Sequence, residues 1–141
     1  MKPNTALDAA RLVLRVVVGV TFLLHGIDKL ANPDATEQWF SSLGIPLPGL
    51  MAPVIAVTET VGGLLLMAGL LTRLTALVLA ADMFVALVTD HIGNGFFVTN
   101  GGFELVLLLG GACFTLVLAG PGRFSLDALP DERQARASAG V

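Results

Sequence analysis

Pro53-Val54-Ile55-Ala56-Val57-Thr58-Glu59-Thr60-Val61-Gly62-Gly63-Leu64-Leu65-Leu66-Met67-Ala68-Gly69-Leu70-Leu71 is the stretch whose reading decides the fold. As a helix rising ~1.5 Å per residue it spans about 28 Å, close to the hydrocarbon thickness of a bilayer. Glu59 lies well inside it and is its one ionisable residue. Such a group costs about 2.5–3.5 kcal/mol on insertion scales, so it normally faces protein or a wet cavity. Gly62 and Gly63 follow three and four residues on, sharing its face and letting a neighbouring helix come close. Glu59 is therefore expected to point into a helix bundle.

The rest of the composition agrees. Of 141 residues, 55% are hydrophobic and only 13% charged, with a mean hydropathy of +0.82. A soluble domain carries roughly a quarter charged residues. The reading is an all-α polytopic membrane protein. The net charge of −3 and the lack of a basic cluster exclude a nucleic-acid partner. Cys113 stands alone, which excludes an intrachain disulfide or cysteine metal cluster, and its apolar surroundings predict an inert buried thiol. No metal site is expected.

Four spans are predicted, at about 9–31, 53–71, 74–89 and 103–119, within a single domain of residues 1–130. Thr5 with Asp8 reads as a variant capping box for the first, and Asn32-Pro33 stops it. Arg11 and Arg15 sit near its inner end, where both can snorkel to the headgroups. The start also resembles a signal peptide, but the apolar helix continues without a clear small-x-small cleavage site. Between the first two spans a short helix over about 33–43, capped by Asn32, carries Trp39, Phe40 and Leu43 on one side. It is expected to lie in the interface plane as an aromatic anchor. Thr72-Arg73-Leu74-Thr75 is a tight connection, with Thr72 or Thr75 capping the third span. Residues 90–95 form a loop that extends through Phe96, Phe97 and Gly102. Gly120-Pro121-Gly122 ends the fourth span, and residues 131–141 read as a disordered cytoplasmic tail.

Seven basic residues (Lys2, Arg11, Arg15, Arg73, Arg123, Arg133 and Arg136) fall on one side of this topology, and Lys29 alone on the other. By the positive-inside rule both termini are cytoplasmic, in a multi-pass protein of the inner (cytoplasmic) membrane. Thr21, His25, Asp28, Lys29 and Asn32 then form one stripe rising to the outer surface. Glu59 lies roughly 9 Å below the outer end of its helix at ~1.5 Å per residue, Glu104 just inside the fourth, and Asp82 deepest on the third. His25, Lys29, Glu59, Asp82, Glu104 and His91 are expected to converge in the outer half of the bundle. Any one of them alone reads equally well as interhelical glue or a satisfied structural group. Four helices sending ionisable groups to one depth point to binding, proton handling or catalysis. Within the cluster, Lys29 is expected to meet Glu59 or Glu104, because two carboxylates in low dielectric need a cation, a donor or a proton.

His25-Gly26-Ile27-Asp28-Lys29-Leu30, Glu59 with Gly62-Gly63, Gly69-Leu70-Leu71-Thr72-Arg73, Gly102-Phe103-Glu104 and Gly120-Pro121-Gly122-Arg123-Phe124-Ser125-Leu126-Asp127 together resemble the DoxX family of small bacterial membrane proteins. The resemblance covers residues 9–129 and implies a four-helix integral membrane protein. Its functional implication is a link to thiosulfate:quinone oxidoreductase and to membrane responses to oxidative or thiol stress.

Three function classes remain. The first is a redox-associated subunit that binds a quinone or similar lipophile and works with a soluble oxidoreductase partner, with His25 and Glu59 as the acid–base pair and Lys29, Asp82, His91 and Glu104 around the ligand. Two histidines and one cysteine do not furnish haem or iron–sulfur ligation, so any electron carrier is an organic molecule or the partner's. The second is a non-enzymatic scaffold or assembly factor. The third is a small-molecule permease, for which four short helices need a homo-oligomer to enclose a path.

Overall fold

The computed structural model describes residues 5–129, and all regular structure among them is helical. Five α-helices follow in order: α1 Thr5–Ala31, α2 Pro33–Ser42, α3 Pro48–Ala68, α4 Thr72–Ala86 and α5 Glu104–Ala119. The tail predicted at 131–141 lies outside the described residues.

Glycines set the closest approach. A Cβ on Gly19 of α1 would stand 2.7 Å from the Gly63 carbonyl of α3, and one on Gly63 would stand 2.7 Å from the Leu23 amide. Real Cβ atoms do not come so near, so the α1–α3 contact is backbone against backbone. Gly26 repeats the contact two turns along, against Ala56 and Thr60, and the falling numbers show that the two helices run antiparallel. Gly62, beside Gly63, receives the Leu79 side chain of α4. α4 packs along α5, and α5 returns to α1, closing a ring of four helices around Phe22, Leu66, Leu79, Cys113 and Leu116. Cys113 is buried in this core, as its setting predicted. Two stretches, Pro48–Ala68 and Thr72–Asn94, are long and apolar enough to cross a membrane; α5 is apolar but shorter.

Several boundaries differ from the sequence reading. α3 begins at Pro48 rather than Pro53, since a proline in the first helical turn forfeits no hydrogen bond. Pro53 then lies inside the helix. α3 ends at Ala68 rather than Leu71, because Gly69 turns left-handed (φ 68°) and its amide, with that of Leu70, closes back on Leu66 and Leu65. Asn32 does not cap α2; its side-chain amide donates back to the Asp28 carbonyl at 2.9 Å. α4 does not stop at Thr89: a π-helical turn over Leu87–His91 and a 3-10 turn over Ile92–Asn94 carry it on. His91 Nδ1 on the Ala86 carbonyl (3.0 Å) and Asn94 Nδ2 on that of Asp90 (2.9 Å) hold the extension where the sequence reads as a loop.

The cap of α4 comes from far away. Neither Thr72 nor Thr75 caps; the Asp127 carboxylate accepts the Leu71 and Thr72 amides at 2.8 and 2.9 Å. The segment that delivers it also overturns the snorkelling expected of Arg15. That side chain is 0% exposed and donates to the carbonyls of Pro121 (3.0 Å) and Phe124 (2.5 Å). Residues 120–127 thus fold over the α1/α3/α4 end as a clasp, with Arg73 holding the Val117 carbonyl and Arg11 paired to Asp8 at 3.0 Å.

Candidate functional site

A cavity of about 250 Å³ lies at the opposite end of the bundle, between α2, the C-terminal half of α1, the first turns of α3, the end of α4 and the start of α5. Its walls are mainly apolar, with Phe22, Phe40, Ile55, Val106 and Leu109 among them. An apolar cavity of ~150 Å³ accepts benzene, so this one suits a substituted six-membered ring.

The polar part of the wall is a chain of charges. Lys29 Nζ donates to Glu59 Oε2 at 2.5 Å, the pairing expected for Lys29. Glu59 is only 4% exposed, and Gly26 against Ala56 and Thr60, on either side of Glu59, brings α1 close enough for the lysine to reach it. Asp82, from α4, lies beside Glu59 and within electrostatic reach of Lys29. Its Oδ2 is sealed from solvent without a hydrogen-bond donor. His91 also lines the cavity, with Nδ1 3.0 Å from the Ala86 carbonyl and 3.6 Å from Asp90 Oδ2. His25 borders the same cavity with an exposed side chain.

Glu104 is not brought to this place. Its carboxylate turns to the loop before α5 and accepts the Val98 amide at 3.0 Å, within a turn where Phe96 stacks edge-on against Phe97 and Phe103. The bond ties the preceding loop to the start of α5 and caps no amide of that helix. No group of three metal-ligating side chains occurs among the described residues.

The sequence reading placed α2 in the membrane interface; the structure also makes it a wall, with Trp39, Phe40, Leu43 and the following Ile45 lining the cavity. The signal was present in the apolar side of that helix, but periodicity cannot say whether such a side meets lipid or protein. On the far face of Trp39 and Lys29 a polar vestibule of about 390 Å³ opens, bounded also by His25, Asp28, Asn32, Ala35 and Thr36. His25, Lys29 and Trp39 therefore stand between the two spaces.

The DoxX family model matches residues 10–92. Among curated relatives, the chain is 36% identical to "Putative oxidoreductase CatD" of Bacillus subtilis, over 88% of this chain and 89% of that one. It is 30% identical to "Inner membrane protein YqjF" of Escherichia coli, over 89% and 95%, and 32% identical to "Inner membrane protein YphA" of the same organism, over 82% and 86%. No solved structure matches.

Proposed function

This chain belongs to the DoxX family of membrane proteins, and we propose that it is a four-span inner-membrane subunit that holds a quinone or similar carbonyl lipophile beside Lys29, Glu59 and Asp82 in support of an oxidoreductase. The observation that carries the reading is a paired, buried charge set into the wall of an apolar cavity. Structural ion pairs gain nothing from an adjoining void, whereas ligand sites combine apolar walls with a few convergent polar groups.

The outer surface supports four spans rather than two. Val13, Val17 and Leu24 of α1, Val57 and Leu64 of α3, Leu74 and Phe84 of α4, and Leu108 and Leu118 of α5 all face outward. An apolar belt of that extent around every long helix fits a lipid environment and not water. Arg15, eleven residues into an α1 that starts at Thr5, faces inward under the clasp. By the positive-inside rule the clasp end is cytoplasmic and the cavity lies in the outer half.

The donor set fits a quinone. Trp39, Phe22 and Phe40 offer faces and edges to a flat ring, while the Lys29 ammonium and the His25 ring can hold a carbonyl oxygen. A bound quinone would supply a two-electron, two-proton couple, with the electrons exchanged by a partner. The name of the Bacillus relative, a putative oxidoreductase, agrees with that direction.

The test is Glu59→Gln, which keeps shape and loses the charge. The variant is expected to insert and fold, to retain less co-purified quinone, and to fail to complement the oxidative or thiol-stress phenotype of a deletion. Full complementation with normal ligand retention would make Glu59 structural and leave the scaffold reading in its place.

A further inference from the structure

Glu59 and Asp82 bring two carboxyls to one buried place, with a single ammonium, Lys29, in reach of both. Were both ionised, the cluster would hold an uncompensated negative charge in the wall of an apolar cavity, an arrangement proteins avoid. The Asp82 Oδ2 atom is buried without a donor, and the Asp82 carboxyl lies beside that of Glu59 in the cavity wall. Two carboxyl groups bond to each other only through a proton that one of them carries. Lys29 meanwhile occupies Glu59 Oε2. All three side chains line the cavity, Glu59 being nearly buried there, and of the three only Lys29 also borders the vestibule.

We infer that Glu59 and Asp82 share one proton and that, with Lys29, they form a relay carrying protons between the polar vestibule and an oxygen of the cavity ligand. The ligand end rests on the reading of the cavity as a site for a carbonyl or hydroxyl lipophile. The shared proton passes from Asp82 to the ligand oxygen, leaving both carboxylates ionised. One proton from vestibule water, through the Lys29 ammonium, restores the pair. No electron moves in this step. The other titratable groups facing the pair are His25 from α1, Asp90 and His91 from the continuation of α4, and Cys113 from α5; α2 adds none to the lining. His25, bordering both spaces, is placed to accept or return protons at the vestibule mouth.

The test is infrared spectroscopy of the full chain in proteoliposomes, without added ligand. At neutral pH the wild type should show the C=O stretch of a protonated carboxyl, shifted on transfer to D₂O. Asp82→Asn and Glu59→Gln should each abolish it, since the remaining carboxylate pairs with Lys29, and Asp90→Asn should leave it. Ala35→Trp, at a position that lines the vestibule and not the cavity, should slow the isotope shift severalfold. Absence of the band in folded wild type, or its survival in both Asp82→Asn and Glu59→Gln, overturns the shared proton. An unslowed shift in Ala35→Trp overturns the route. The wild-type isotope experiment stands even where a variant fails to fold. Titration with a short-chain benzoquinone is read separately: a band with no quinone binding would refute the cavity reading, and binding with no band would refute the relay alone.

Discussion

Removing Lys29 should hurt this protein far more than removing its partner. The pair is buried unequally: the Glu59 side chain is 5% exposed, and the Lys29 side chain, at the vestibule, 13%. Lys29→Met leaves two carboxyls in the cavity wall with no cation, and breaking a buried pair in this way costs about 3–5 kcal/mol. Glu59→Gln leaves an ammonium that can turn to vestibule water and still has Asp82 beside it. Its cost should be nearer the ~1–2 kcal/mol of a lost charge-assisted hydrogen bond. Lys29→Met combined with Glu59→Gln removes both charges of the pair, so Glu59 is no longer a carboxylate left without its cation. The double variant should therefore be more stable than Lys29→Met alone. Equilibrium unfolding from mixed micelles, followed by helical signal against detergent composition, measures all four corners of the cycle. A loss below about 1 kcal/mol for Lys29→Met, the range of exposed pairs, would mean that the pair is solvated. Additive single losses would refute the coupling on which the site depends.

Asp127→Ala should cost about 1–2 kcal/mol by uncapping α4. Burial opposes ionisation of Asp127, but the Thr72 and Leu71 amides and Arg15 outweigh it and hold the carboxyl below its ordinary value. Its contribution is thus complete above the unfolded value near ~3.9 and fades as pH falls through the lower folded value, so an acid titration of stability should lose that slope in Asp127→Asn. Gly63→Leu must separate α1 from α3; unfolding measurements should show a loss of at least ~1–3 kcal/mol, with Lys29 and Glu59 pulled apart. Single cysteines at Asn94 and Ser138, in a Cys113→Ala background, should label from opposite sides of intact cells; labelling from the same side would overturn the topology.

What the sequence made legible were the features that composition and spacing control directly. Glu59, alone in an apolar stretch, needed a partner, and Lys29 supplies it. Gly62 and Gly63 announced close packing and deliver it against α4 and α1. Helix ends were less legible, because their hydrogen bonds come from remote residues. Asp127 caps a helix that starts 55 positions earlier, which no local window reveals. The π-helical turn after Ala86 is held by side chains that also read as loop formers. Glu104 matched the depth of the cluster but not its direction, since depth follows from position along a helix and direction from the loop before it.

The two ends of the bundle set a buried charge that builds the fold against the group proposed to serve a site. Arg15 is more deeply buried than Glu59. Yet the Pro121 and Phe124 carbonyls lie on its guanidinium, residues 120–127 close over it, and it lines neither the cavity nor the vestibule. Filling its surroundings with backbone leaves nothing for a ligand to meet; its removal should cost stability alone. Lys29, Glu59 and Asp82 instead set two carboxyls beside one ammonium in the cavity wall, and Lys29 also borders the vestibule. A fold that needed only helix pairing could have met Glu59 with a hydroxyl or closed the gap with leucine. It instead keeps a second carboxyl, a cavity and a vestibule around the same pair, and the proposed lipophile site rests on that combination.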